Sequence, residues 1–329
     1  MVCPLCGSPR RGRVVAVKER LLGTGETFTV VRCQGCGLFR TDPRPTKVEI
    51  GRYYPEHYGP YRPVGAVPAP WLRPGLKGTI RRWTLTAQYG YRLTNLEGLL
   101  AGLIGAVTRA LKGRYLHFPP FRPGGRLLEV GCATGERLAL LRSLGWEVQG
   151  VEINEQACRE AKAQHGLEVF CGELEEACLP EASVDAVVMS HLIEHIHDPV
   201  ATLREVRRIL RPTGVVLMET PNGGSLERRV FGGYWYDWDV PRHLFLFDAR
   251  TLGLCCARAG LRLRRVAYSS YTGDWNRSLA YWCADHGQER LASWLSSDPR
   301  ALRLVLGPLG KALAWAHATG RMIAVANGE

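Results

Sequence analysis

The stretch Leu127-Leu128-Glu129-Val130-Gly131-Cys132-Ala133-Thr134-Gly135-Glu136-Arg137-Leu138 constrains the fold more than any other. A short apolar strand runs straight into a glycine turn and then into a helix. Gly131 tolerates positive φ and leaves the backbone bare. The helix that starts near Thr134 aims unpaired N–H groups and its positive dipole end at whatever rests over the turn, which suits a carboxylate or a phosphate. From Arg126 onward strand and helix patterns alternate, as in a parallel sheet with helices on both faces. The pattern predicts helices over 136–145, 154–165, 199–210 and 249–259, and strands over 146–152, 167–171, 184–189, 215–219, 261–268 and 322–326.

Spacing separates two readings of the turn. A dinucleotide fingerprint needs a small residue where Glu136 stands, and an acid there would oppose a pyrophosphate. The pattern Glu129-x-Gly131-x-Ala133-x-Gly135 instead resembles the first motif of class I S-adenosylmethionine-dependent methyltransferases, with Ala133 replacing the middle glycine. The strand Val148 to Glu152 then ends in an acid 23 residues after Glu129, where a carboxylate accepts both hydroxyls of a ribose. The resemblance implies a Rossmann-like α/β sheet with S-adenosylmethionine as cofactor. It places Glu129, Gly131, Ala133, Gly135, Glu152 and Ser190 around that cofactor, with Glu173 toward the adenine and Glu175 an alternative to it.

The chain opens with Cys3-Pro4-Leu5-Cys6-Gly7 and Cys33-Gln34-Gly35-Cys36-Gly37, with strand-like sequence between them. Four thiolates at Cys3, Cys6, Cys33 and Cys36 suit tetrahedral Zn²⁺ in a closed structural site. The metal would hold a module too small to fold on its own core. The other seven cysteines show no second pair of knuckles and read as small core residues. Together the features divide the chain into a zinc ribbon over 1–45, a tyrosine-rich loop with a basic, apolar helical linker over 46–122, and a methyltransferase domain over 123–329 with a helical insertion at 275–318.

Charge is uneven along the chain. Residues 1–122 carry a net +14 of the formal +12, and the remainder carries −2. A basic segment attracts phosphates on nucleic acid, on a nucleotide-linked substrate or on an anionic membrane, and also serves plain solubility. The start, Met1-Val2-Cys3-Pro4, lacks the basic and apolar regions of a signal peptide, and eleven cysteines without such a signal argue for reduced thiols. The expectation is a cytoplasmic protein, with peripheral membrane contact through the basic linker helix around 99–114 left open.

Two dense polar stretches follow the sheet strands. Ser190-His191-Leu192-Ile193-Glu194-His195-Ile196-His197-Asp198-Pro199 puts His191 and His195 at i and i+4, one helical face, with Glu194 beside them. It resembles the Glu-x-x-Glu-His stretch of ubiquinone-pathway O-methyltransferases, where a divalent metal assists. His191 replaces the first glutamate, so Mg²⁺, which prefers oxygen ligands, stays an open alternative to a general base. Asp198-Pro199 reads as a helix N-cap and first turn.

The second stretch runs from Tyr234 to Phe245 and suggests a lid over a substrate. His243 there is a candidate base, and Asp239 and Arg242 are candidate contacts to a substrate phosphate or carboxylate, with mutual bridging within the loop as the alternative. The ribbon, the Asp42-Pro43-Arg44-Pro45 exit and the tyrosines at 53–61 resemble a bacterial subfamily that includes C-methyltransferases of nucleotide-linked deoxysugars. That resemblance turns Tyr54 and Tyr58 toward the acceptor.

The expected activity is methyl transfer from S-adenosylmethionine to oxygen or carbon of a small-molecule acceptor of sugar, lipid-linked or secondary-metabolite type, with no nucleic-acid partner. The catalytic candidates are His191, Glu194, His195 and His243. The competing expectations are a zinc-ribbon nucleic-acid-binding protein, whose affinity would fall steeply with salt, and an RNA methyltransferase.

Overall fold

The computed structural model describes residues 2–55, 74–94, 102–107 and 118–328. It divides into two compact units. One comprises Met1–Pro55, His191–Arg204 and Met218–Ala324; the other comprises Glu56–Ser190, Glu205–Leu217 and Val325–Glu329.

The second unit holds the strand-turn-helix series. Strands β4 (Arg126–Val130), β5 (Glu147–Glu152), β6 (Val169–Cys171) and β7 (Val184–Ser190) alternate with helices α4 (Glu136–Ser143) and α5 (Glu155–His165), numbered after α1 (Lys47–Ile50), α2 (Leu76–Tyr89) and α3 (102–107). β4 pairs in parallel with β5 and β7, and β5 in parallel with β6. Such strands are buried on both faces and read as continuous apolar runs. Val184 to Met189 is accordingly buried throughout, Asp185 included; its carboxylate accepts from the Arg126 backbone N–H at 3.0 Å and from Arg211 at 2.6 Å. Asn154 caps α5 by accepting from the Ala157 N–H at 2.8 Å, and Gly166 ends it in the left-handed conformation.

With β8 (Leu210–Pro221), β10 (Leu261–Tyr268) and β11 (Arg321–Gly328), these strands make a seven-stranded sheet of order β10-β11-β8-β7-β4-β5-β6. The chain leaves β4 in one direction for β5 and β6, then returns to β4's other side with β7. This switch point lies between β4 and β7, where open α/β sheets bind ligands at their carboxyl ends.

The first unit contains a four-stranded sheet of order β1-β2-β3-β9, from Arg11–Lys18, Thr27–Cys33, Phe39–Thr41 and Phe245–Leu246. Phe39 pairs with Leu246 and Arg40 with Phe245. Its core joins Val17, Val30 and Phe39 to Trp235, Trp238, Val240 and Leu246. The cysteine ribbon therefore packs on residues from the aromatic stretch as well as on its own. The same unit carries α6 (Pro199–Ile209) up to Arg204, α7 (Leu226–Phe231), α8 (Ala249–Arg258) and the helices α9 (Gly273–Asp285), α10 (Glu289–Ser296) and α11 (Arg300–Trp315) where the insertion was expected. No helix among the described residues is long and apolar enough to cross a membrane.

Candidate functional site

The turn after β4 is held from beneath by its neighbour strand. Gly131 N–H donates to the Val151 carbonyl at 2.8 Å, and the Glu152 carboxylate accepts from the backbone N–H groups of Ala133 and Asn154, both at 2.9 Å. Gly131 (φ +71°), Ala133 (φ +46°) and Gly135 (φ +84°) all occupy left-handed backbone. Glycine does so freely; Ala133 does so against its Cβ, at a cost of about 1–2 kcal/mol. The alanine that departs from the glycine pattern thus takes the glycine conformation.

Glu129, at the floor of the turn, is buried. Its Oε1 lies 3.6 Å from Arg137 Nε, and its Oε2 has no hydrogen-bond partner among the described residues. Burial, opposed by Arg137 and reinforced by Glu136 and Glu152, pushes its carboxyl up to about 7. Arg137 also donates to Ser190 Oγ at 2.8 Å, joining the ends of β4 and β7 at the switch point. Arg137 was not singled out in the sequence, although a cation at the first turn of the helix beside a buried acid is a readable signal. Burial raises Glu152 as well, opposed by the backbone N–H groups of Asn154, Ala133 and Ile153. Glu173 caps the short turn Leu174–Ala177, and Glu176 accepts from the Glu173 N–H at 2.8 Å.

A second constellation lies wholly within the other unit. Residues 191–198 form turns, and His191 has φ +49°, so His191 and His195 do not share a helical face. The expectation of an i, i+4 pair is corrected: the chain reverses at His191, whose N–H donates to the Glu219 carbonyl at 2.7 Å. Glu194 is fully buried. Its Oε2 accepts from Thr220 at 2.9 Å, and its Oε1 faces His191 Nδ1 at 3.4 Å and His243 Nε2 at 4.0 Å. Burial alone would raise Glu194; the His191 hydrogen bond and the charges of the three histidines outweigh it and bring it down to about 2.

His195 Nδ1 lies 2.9 Å from the Tyr54 hydroxyl and 3.0 Å from the Arg242 carbonyl. Burial and then repulsion from His243 lower it to about 4, so it is neutral at ordinary pH. The His195 and His243 rings meet edge to face at 4.7 Å. His243 Nδ1 lies 2.7 Å from the Asp237 carbonyl. A carbonyl only accepts, so Nδ1 carries the hydrogen and the neutral ring keeps Nε2 as its basic nitrogen. That nitrogen lies 3.7 Å from Asp239 Oδ2.

Arg242 and Asp239 bridge one another within the loop, the alternative that the sequence left open for them. The Arg242 side chain is only 1% exposed and donates to Asp239 at 2.6 Å, to Glu19 at 3.2 Å and to the Tyr53 carbonyl at 3.2 Å. A guanidinium enclosed by two carboxylates and a carbonyl is committed to bracing the loop, not to a substrate anion. Glu19 carries no local signal, because its partner lies 223 residues away. Tyr58 lies outside the described residues.

The four ribbon cysteines converge as the knuckles predict. Cys3 and Cys36 sulfurs are 3.7 Å apart, those of Cys6 and Cys33 are 3.5 Å apart, and one ligand atom from each lies within 4.8 Å of the others. Gly7 N–H donates to the Cys3 carbonyl and Gly37 N–H to the Cys33 carbonyl, closing each knuckle.

Residues 104–266 match the family described as a methyltransferase domain. A malonyl-acyl-carrier-protein O-methyltransferase of Serratia marcescens is 31% identical over 145 residues, covering 43% of this chain and 55% of that protein. A protein of Mycolicibacterium smegmatis named probable S-adenosylmethionine-dependent methyltransferase is 37% identical over 100 residues, covering 30% and 39%. A ubiquinone biosynthesis O-methyltransferase of Parvibaculum lavamentivorans is 26% identical over 169 residues, covering 46% and 66%. The chain thus spans about half the length, or less, of the first two of these relatives. With the glycine turn, the acid that ends β5 and the strand order, residues 104–266 carry a methyltransferase domain of the class I S-adenosylmethionine-dependent type.

Proposed function

We propose that this chain transfers the methyl group of S-adenosylmethionine to an oxygen of a small-molecule acceptor. The observation that carries the reading is the turn after β4, where Glu152 holds the Ala133 and Asn154 N–H groups and a buried Glu129 oxygen is left unpaired. An unpaired buried acceptor is costly and suits a cofactor that brings a donor to it. The sulfonium supplies an electrophilic methyl group when bound. Glu152 accepts from the ribose, Glu129 and Ser190 define the floor, and Glu173 stands at the adenine end.

The polar cluster that follows Ser190 in the chain serves the acceptor. His243 is the base: its Nδ1 hydrogen is fixed on the Asp237 carbonyl, leaving Nε2 to take a proton. His195 is held by Tyr54 and the Arg242 carbonyl and positions the acceptor side of the cluster, while Glu194 and His191 orient it. Two relatives named as O-methyltransferases favour an oxygen acceptor over a sugar carbon. Glu194, His195 and His243 bring one ligand atom each within 4.8 Å, but two of the three are imidazoles, which suit Mg²⁺ poorly, and a nucleic-acid partner leaves the histidine cluster without a purpose. Eleven unpaired cysteines support a reducing, cytoplasmic setting, and the exposed Leu304, Val305 and Trp315 on α11 support contact with a membrane surface.

The cysteine cluster is read as a structural zinc site. Sulfurs on a tetrahedral zinc stand about 3.7 Å apart, from a Zn–S bond of about 2.3 Å. The observed 3.5 and 3.7 Å separations fit that, and the four sulfurs all lie within 4.8 Å of one another. Metal analysis of protein purified without chelator should find one zinc per chain. Calorimetry with S-adenosylhomocysteine tests the main proposal: saturable one-site binding is expected, and wild-type protein that binds neither it nor S-adenosylmethionine ends the reading.

A further inference from the structure

Apart from the cysteines and the histidine cluster, a third group of ionisable side chains is gathered and buried. Glu227 on α7, Asp237 in the aromatic stretch and Asp274 at the start of α9 place one carboxylate oxygen each within 4.8 Å of one another. The residues are 1%, 4% and 1% exposed. Asp274 is satisfied by Arg321, which donates to both its oxygens at 2.7 and 2.8 Å. Glu227 Oε1 accepts from Trp275 Nε1 at 2.6 Å and from the Gly320 N–H at 3.0 Å.

What remains is two buried oxygens, Glu227 Oε2 and Asp237 Oδ2, with no hydrogen-bond donor among the described residues. The backbone keeps them clear. A Cβ at Gly320 would stand 2.1 Å from Glu227 Oε2 and 3.3 Å from Asp237 Oδ2, so only glycine leaves that space to the oxygens. Three buried carboxylates face two partly exposed arginines, Arg321 at 2.7 Å and Arg277 at 3.4 Å from Asp274, so one negative charge is left over. A buried carboxylate must be neutralised by a proton, a partner or a metal. The two unpaired oxygens aim into the same space and the residual charge is negative, which matches a cation that takes oxygen ligands.

We propose that Glu227, Asp237 and Asp274 bind a hard divalent cation of the calcium class. The ion ties the start of the α9–α11 insertion to the aromatic stretch that carries Asp239, Arg242 and His243. It is separate from the four-sulfur site, whose soft ligands suit zinc.

Terbium, a luminescent hard cation, reports the site in the full chain, because Trp275 bonds a ligand carboxylate and can sensitise it. The expected result is one saturating Tb³⁺ signal per chain that Ca²⁺ displaces. At least a tenfold loss of affinity is expected in both Asp237→Asn and Glu227→Gln. A signal of undiminished affinity in both variants overturns the proposal, as does a wild type with no saturable signal. Should the variants not fold, melting of the zinc-loaded wild type decides: a higher melting temperature with added Ca²⁺ than in chelator-free buffer without it upholds the site, and identical melting overturns it.

Discussion

Between Glu129 and Glu152 the turn is held by groups that lie within 23 residues of chain, and most of its bonds involve backbone. The histidine–carboxylate cluster is assembled from Glu19, Tyr53 and Tyr54, residues 191–195, Glu219 and Thr220, and residues 237–243, and its bonds run from side chains to remote side chains and remote backbone carbonyls. A site built on local backbone is tied to two adjacent strands and the turn that follows the first. A site built on distant side chains exists only once the whole unit has closed, so its members depend on one another and substitutions there should be strongly non-additive. The difference teaches where binding and where chemistry should fail independently.

The largest effects should cross over between the two. His243→Gln removes the base and is expected to lower turnover by about 10²- to 10⁴-fold, while S-adenosylhomocysteine affinity measured by calorimetry stays near wild type. Glu152→Ala should do the reverse in binding, weakening the same ligand by tens- to hundreds-fold, about 2–4 kcal/mol, as a charged acceptor is lost. If His243→Gln weakens the cofactor as much as it slows turnover, the two regions are not separable in the way their construction suggests.

This contrast also explains what could be read before any coordinates. The parallel strands were legible because buried strands announce themselves as apolar runs: 184–189 was expected and Val184–Ser190 is observed, and helix 154–165 became Glu155–His165. The turn was legible because glycine spacing is a local constraint. The cluster was legible only as a list of residue types. His191 and His195 looked like neighbours on a helix because spacing alone cannot register the chain reversal at His191. Arg242 looked free for a substrate because Glu19, its enclosing partner, is remote in sequence. The short strand Phe245–Leu246, which extends the ribbon sheet, has no pattern of its own, being two residues long.

Next in size is the brace beneath the cluster. Arg242→Met leaves Glu19 buried and Asp239 partly exposed without their cation, and breaking a buried ion pair from one side costs about 3–5 kcal/mol. A denaturant midpoint shift of that size is expected, with cofactor binding retained at low temperature. A shift below about 1 kcal/mol would mean that water reaches the carboxylates and that the brace is a surface pair.

The acid response of the cluster should show two separate windows. His195 titrates near 4 in the folded chain against about 6.5 when unfolded. The unfolded chain therefore binds the extra proton first, and stability present above about 6.5 is lost as pH falls toward 4. Glu194 titrates near 2, below an ordinary glutamate at about 4.3, so its share is lost only as pH falls from about 4.3 toward 2. His195→Gln should flatten the first window and narrow the second in melting curves recorded across pH, because the His195 charge helps to hold Glu194 down. A wild type whose stability is level between pH 6.5 and 4 contradicts a neutral, buried His195.

The smallest effect sharpens the other side of the comparison. If the turn after β4 is a backbone device, its one non-glycine left-handed residue, Ala133, carries strain that glycine would relieve. The relief is about 1–2 kcal/mol, offset by the greater freedom glycine loses on folding, about 0.5–1 kcal/mol. Ala133→Gly should therefore stabilise the chain by roughly 0.5–1 kcal/mol, read from denaturant unfolding, and leave S-adenosylhomocysteine affinity within a few-fold. The Ala133 N–H that Glu152 accepts is present in either residue, so the hydrogen bond that fixes the turn does not depend on the side chain. Destabilisation on this change would mean that the Ala133 methyl packs more than its backbone strains, and the turn would then owe its shape to a side chain after all.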